Sequence, residues 1–186
     1  MSDRRRNTTV IAKSDMECLV VIKEDFSYAS GIVKRSLQNK IEFITAHMPI
    51  MNHIHSDVKK KDIIYNSQML RMFSGQSLTK SGDKGEFIYL LKEGLVKVEL
   101  KCHIEGPNRH QYGKNIHICD LTDGACIGEE ILFQGVYKFN CTITSSNAIV
   151  FKIPKKCLSQ LRSNTKKIMR DIYKEKLAHR MEKYNK

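Results

Sequence analysis

The chain has 186 residues, 41% of them hydrophobic, and its 32 lysines and arginines against 20 aspartates and glutamates give a formal charge of +12. That size and apolar share support one domain with attached segments, and no apolar run approaches the roughly 18 residues that a membrane helix requires. The Arg-rich start lacks the apolar stretch of a secretory signal, and the dispersed positive charge comes with no helix-turn-helix, zinc-finger or aromatic-studded strand motif, which argues against a dedicated nucleic-acid site.

Taken in chain order, TTVIA (residues 8–12) and CLVVI (18–22) are rich in β-branched and apolar residues, and the polar KSDME between them predicts a hairpin. KEDFSYASGIVKRSL suits a short helix. Residues 37–55 place Ile41, Ile44, Met48, Met51 and Ile54 near helical spacing, with Pro49 expected to break or kink the helix. Residues 56–71 predict a further short helix carrying Val58, Ile63, Ile64 and Leu70.

From Met72 the character changes. QSLTK, EFIYLLKE and LVKVEL predict short strands punctuated by Gly75, Gly82, Gly85 and Gly94. CHIEGPNRHQYGKN predicts a polar loop containing Gly106, Pro107 and Gly113. A strand in HICDL, a turn at Asp123-Gly124, the stretch IGEEILFQG and strands in NCTITSS and AIVFKI follow, and Pro154 ends the β region. The remainder predicts one long helix with Leu158, Leu161, Ile168, Ile172, Leu177, Met181 and Tyr184 near one stripe. The fold class is α+β, mainly β: an eight-stranded jelly-roll barrel (a double-stranded β-helix) flanked by N-terminal helices and a long C-terminal helix.

Six cysteines, Cys18, Cys102, Cys119, Cys126, Cys141 and Cys157, form no CxxC pair, and several sit in strand-like runs where a small buried thiol is expected. This points to a reducing compartment, the cytoplasm. His53 with His55, Cys102 with His103, and His117 with Cys119 match no closed zinc site, so no metal and no cofactor is expected. There is no GxSxG, Walker loop or kinase catalytic loop, and the adjacent Glu129 and Glu130 make a poor acid/base pair, which argues against an enzyme.

Three pieces of the β region occur in a telling order. Gly75 to Val98 reads G-x-x-L-x-x-x-G-D-x-G-x-x-x-Y-x-L-x-x-G-x-V-x-V; residues 120–129 read DLTDGACIGE; EILFQG then leads to a basic residue and a strand in VYKFNCTI. Together these resemble the cyclic-nucleotide-binding domain family, over residues 37–186. The resemblance implies that Gly128 permits a close turn, that Glu129 accepts from a ribose hydroxyl, and that backbone N–H groups near Ile131 and Leu132 approach a cyclic phosphate, as helix N-termini do for anions. It also implies that Lys138 supplies the countercharge and that the C-terminal helix acts as a lid. The candidate ligand is cyclic AMP or cyclic GMP, and the implied partner is a protein effector.

This chain departs from the family pattern at four points. Lys138 stands where an arginine fork is usual, Ile131 and Phe139 stand where small residues are usual, and Glu130 adds a carboxylate beside the expected anion. Two readings stay open: a sensor with an open cavity bounded by Gly128, Glu129 and Lys138, or a fold whose pocket is filled by Ile131 and Phe139 and which serves protein contacts, with the basic C-terminal helix as their expected surface.

The beginning of the chain repeats its middle. RNTTVIAKSDMECLVVIKEDF from Arg6 lies over KFNCTITSSNAIVFKIPKKCL from Lys138 without a gap. Residues 1–26 are therefore expected to be the final strands of an upstream domain of the same kind, with Arg6 at its phosphate position, and the chain to be a fragment or isoform of a longer tandem protein. The stretch RRRNTT also fits a basic tail, or a kinase substrate with Arg5 and Arg6 ahead of Thr8. The expected organisation is residues 1–26 as that remnant, 27–71 as linking and N-terminal helices, 72–153 as the β-barrel and 154–186 as C-terminal helices.

Overall fold

A computed structural model describes residues 8–105 and 111–182. The chain divides into two units, residues 1–37 and 38–186.

In the first unit, residues 8–22 run without helix or strand, with a bend at residues 13 and 14. The predicted hairpin is not formed. An isolated pair of strands is marginal in water without a third strand or a packing layer, and here Val10 is 91% and Leu19 100% exposed. Arg4 to Arg6 lie outside the described residues. Helix α1 (Lys23–His47) starts with Glu24 and Asp25 in its first turn and His47 in its last, which suits the helix dipole at both ends. The two helical stretches expected on either side of residue 37 are thus one element, and Pro49 ends it as predicted, opening a short 3₁₀ helix over Pro49–His53.

The second unit is built on eight strands. They are β1 (Gln68–Phe73), β2 (Ser77–Thr79), β3 (Phe87–Glu93), β4 (Val96–Glu105), β5 (Gln111–Leu121), β6 (Cys126–Ile127), β7 (Asn140–Ile143) and β8 (Asn147–Pro154). They form two four-stranded sheets with orders β1-β8-β3-β6 and β2-β7-β4-β5, and every pairing between strands is antiparallel. Eight strands and this order are consistent with a double-sheet jelly roll, but the two sheets do not close into the expected barrel. Helix α2 (Asp57–Asn66) stops short of residue 71, because Gln68 onward pairs with β8. The polar loop expected over residues 102–115 is mostly a β4–β5 hairpin; Gly106 and Pro107 lie outside the described residues.

The space between the sheets is filled by Leu91, Ile127, Ala148 and Val150 from one side and Leu78, Val96, Val98, Cys141 and Ile143 from the other. Strand β8 is buried on both faces, and its Phe151 meets Phe43 at 5.7 Å between ring centroids. The expected long C-terminal helix is two helices, α4 (Lys155–Ser159) and α5 (Ser163–Glu182). Ser163, Asn164 and Thr165 prefer side-chain bonds to the local backbone over a helix interior, and the restart falls there. The buried stripe of α5 is Thr165, Met169 and Tyr173, one position round from the predicted Ile168 and Ile172; Tyr184 lies outside the described residues.

Between β6 and β7, helix α3 (Ile131–Gln134) is pinned to the β2–β3 turn. Gly85 donates its N–H to the Gly135 carbonyl at 2.9 Å, and a side chain at Gly85 would fall directly on Ile131, which is fully buried. Gly85→Ala should cost about 1–3 kcal/mol by overpacking, and Ile131→Ala roughly 2–5 kcal/mol by opening a cavity. The double variant should cost less than their sum, because the new methyl enters the vacated space. Urea unfolding of the four proteins measures this coupling; strict additivity would show that the two positions do not meet.

Candidate functional site

The site begins at a backbone constraint. Gly128 has φ +84°, and a Cβ there would approach the Tyr137 ring at 2.9 Å and the Phe87 carbonyl oxygen at 3.4 Å. Tyr137 is itself fixed, its hydroxyl donating to that Phe87 oxygen at 2.8 Å. A glycine at 128 therefore lets the chain turn from β6 into the cassette with β3 and Tyr137 pressed against it.

The two carboxylates that follow are both buried, Glu129 at 4% and Glu130 at 3% exposure, and they point to different partners. Glu129 Oε1 is 2.9 Å from Lys176 Nζ of α5. Glu130 Oε1 accepts the backbone N–H of Lys138 at 3.1 Å. Burial pushes the Glu130 carboxyl above its ordinary value; its bonds to backbone N–H groups pull the other way, and the neighbouring Glu129 charge adds to the rise. For Lys176, burial acts to lower the ammonium's value, but the Cys126 thiol and the Glu129 carboxylate outweigh it and hold it above the ordinary range.

The backbone donors expected to face an anion are engaged. The N–H of Ile131 reaches the Gly128 carbonyl at 3.3 Å and that of Leu132 the Glu129 carbonyl at 3.2 Å. Ile131 is completely buried and Phe139, 2% exposed, belongs to the inter-sheet core. The Lys138 ammonium lies 5.8 Å from the Phe139 ring centroid, and the Arg180 guanidinium lies 6.0 Å from the same ring. Gly128, Glu129, Ile131, Leu132, Lys138 and Phe139 are thus gathered in one place, with the two bulky members filling it.

Helix α5 contributes what the sequence did not flag. Besides Lys176 and Arg180, it places Tyr173 at 6.2 Å from Phe133 and Arg170 at 5.1 Å from that ring. The Tyr173 hydroxyl is buried without a hydrogen-bond partner and is pushed up to about 12, first by burial and then by Glu130. Lys176 stands 47 positions from Glu129, and no local pattern marks it as the partner. Among the described residues no three His, Cys, Asp or Glu side chains come together to hold a metal ion.

Two substitutions read this electrostatics. Lys176→Met leaves Glu129 buried without its cation and should cost about 1–3 kcal/mol, most of it recovered when Glu129→Gln is added; an unchanged urea midpoint would show the pair to be idle. Glu130→Gln keeps the acceptor for the Lys138 N–H and removes a buried charge. Because the folded carboxyl lies above its ordinary 4.5, its contribution to stability is present below that value and lost as pH rises through the folded value. The variant should therefore melt higher than the wild type at pH 7, with the gap closing on acidification below that value; a lower melting temperature at pH 7 would contradict the assignment.

The comparisons agree with this architecture. The family profile described as the cyclic nucleotide-binding domain matches residues 71–165. The regulatory domain of Toxoplasma gondii protein kinase A with cyclic AMP superposes with a TM-score of 0.63 at 14% identity, over 82% of this chain and 55% of that one. A regulatory subunit of a cyclic-AMP-independent protein kinase A from Trypanosoma brucei, a triple variant bound to cyclic AMP, gives 0.54 at 18% identity, over 83% and 56%. The corresponding subunit from Trypanosoma cruzi bound to guanosine gives 0.53 at 19%, over 79% and 52%. The chain thus spans about half the length of these structures, and at such identities they speak for the fold alone. No curated protein sequence matches significantly. With a profile match across half its length and the two-sheet fold around the cassette, the chain belongs to the cyclic nucleotide-binding domain family.

Proposed function

We propose that this domain is a non-enzymatic regulatory module whose phosphate cassette is occupied by the protein's own side chains, and that it works through a protein effector rather than by binding cyclic AMP or cyclic GMP. The observation that carries this reading is the fate of the two carboxylates. Glu129, the expected ribose acceptor, is held by Lys176 at 2.9 Å, and Glu130 holds the backbone N–H of Lys138. A cyclic phosphate entering here meets a buried carboxylate, an isoleucine and a phenylalanine instead of an arginine fork. Lid helix α5 is docked on the cassette by its own cation, so it needs no ligand to stay closed.

The Trypanosoma brucei variant that binds cyclic AMP carries three changes: glutamate to alanine, threonine to arginine seven positions later, and valine to alanine directly after that. Ile131, Lys138 and Phe139 have the same spacing here. Calorimetric titration with cyclic AMP and cyclic GMP should give no heat for the wild type at millimolar ligand. The combined Ile131→Ala, Lys138→Arg, Phe139→Ala variant should bind cyclic AMP measurably. Micromolar binding by the wild type, abolished by Glu129→Ala, would establish a sensor and sink the proposal.

The organisation expected from the sequence is part of the same proposal. At the repeat offset, the bend at residues 13 and 14 falls on the bend at 145 and 146, and the start of α1 at Lys23 falls on the start of α4 at Lys155. The buried positions Ile143, Ala148, Val150, Phe151 and Ile153 fall over Ile11, Met16, Cys18, Leu19 and Val21. These coincidences support reading residues 8–22 as the last two strands of a second domain of this kind. Among the described residues no two cysteines are joined in a disulfide, which fits a module at work in a reducing compartment, the cytoplasm.

A further inference from the structure

Three adjoining cavities lie on the second unit, away from the cassette. One, of about 350 Å³, has Ile54 and Leu161 in its lining, with His53, His55, Lys59 and Arg162 around them. The next, about 400 Å³, shares Lys59 and Gln160 with the first and adds Val58, Asp62, Cys157 and Lys156. A third, about 490 Å³, shares Lys156 with the second and is lined further by Phe87, Pro154, Lys84, Lys155 and Glu86. A bond from Lys59 Nζ to Gln160 Oε1 at 3.2 Å bridges the first two. Sharing these lining residues, the cavities lie side by side as a grooved surface past α4, between the start of α5 and the turn before β3.

Its chemistry is mixed in a particular way. Apolar groups are present in the lining of each cavity, and Val58 is 77% exposed. Five permanent cations, Lys59, Arg162, Lys156, Lys155 and Lys84, line it against two carboxylates, Asp62 and Glu86. None of these groups takes part in the cassette. We propose that this groove docks an acidic linear peptide of a partner protein, whose carboxylates pair with the cations while interspersed apolar side chains seat on Val58 and Phe87. Charge complementarity selects the acid, and the apolar stations select a peptide over a polyphosphate. A nucleic-acid backbone would gain nothing from Val58. This deepens the reading of the domain as a protein-interaction module and rests on it; the nucleotide titration above tests that reading separately.

The test uses fluorescence anisotropy of the full chain with a labelled peptide of about twelve residues, glutamate with leucine at every third or fourth position. Micromolar binding is expected, weakened roughly tenfold or more by Lys59→Glu, Lys156→Glu and Arg162→Glu together. An equal charge reversal on exposed positions of α5, Lys166→Glu, Lys167→Glu and Lys174→Glu, should leave most of the affinity intact. The proposal is overturned if both triple variants weaken binding alike, since attraction to the overall charge would then suffice. It is equally overturned if an all-glutamate peptide binds as well as the leucine-bearing one, or if a twelve-nucleotide oligothymidylate binds more tightly than either. Failure here with a nucleotide-silent wild type removes the groove and leaves the reading of the cassette standing.

Discussion

A carboxylate removed from water must find a cation or a set of donors, because leaving it unpaired costs more than most single contacts return. Glu129 sits under that constraint at 4% exposure, and Lys176 answers it from the C-terminal helix. Much else in the second unit is arranged so that this pair can form. Gly128 turns the chain sharply enough to bring Glu129 inward, Tyr137 and Phe87 close behind it, and α5 lies with Tyr173 against Phe133 and its cations over the cassette. The pair ties together segments 47 positions apart, and so couples the cassette to the C-terminal helix.

On the proposed reading, the cassette is a binding site converted into a packing site with few changes. A small residue at position 131 or 139 would leave room, whereas isoleucine and phenylalanine carry the core into it. Gly85 gives Ile131 its space, so the bulk is accommodated rather than strained. Glu130 then takes the Lys138 N–H, and the N–H groups at the start of α3 close short turns on Gly128 and Glu129. The backbone N–H groups of Ile131, Leu132 and Lys138 thus each have an internal acceptor. Helix α5 and the cassette are therefore joined by the ion pair between Lys176 and Glu129. The proposed cationic groove past α4 has neither Glu129 nor Lys176 in its lining.

Residues 8–22 are the counter-example to local reasoning. They carry the composition of strands and the register of β7 and β8, yet they form no strand. β-structure is completed by partners: β7 pairs with β2 and β4, and β8 with β1 and β3, while the corresponding early segment has none of these beside it in its own unit. The same logic, reversed, explains the loop over residues 102–115. Its polar residues and glycine suggested irregular chain, and pairing of β4 with β5 drew most of it into the sheet.

What the sequence by itself determined was local and periodic. Gly75 to Gly94 timed the turns, short apolar and β-branched runs marked β3, β4, β7 and β8, Pro49 and Pro154 marked boundaries, and the order of motifs from Gly75 to Lys138 carried the family resemblance. These signals lie within a few residues of one another, where backbone geometry and side-chain period act directly. What only the tertiary structure decided was long-range: that two sheets stack without closing, that the C-terminal helix restarts at Ser163 and buries a different stripe, and that Lys176 meets Glu129. A contact between residues 47 apart depends on where both elements finally pack, and no pattern within either segment carries that information.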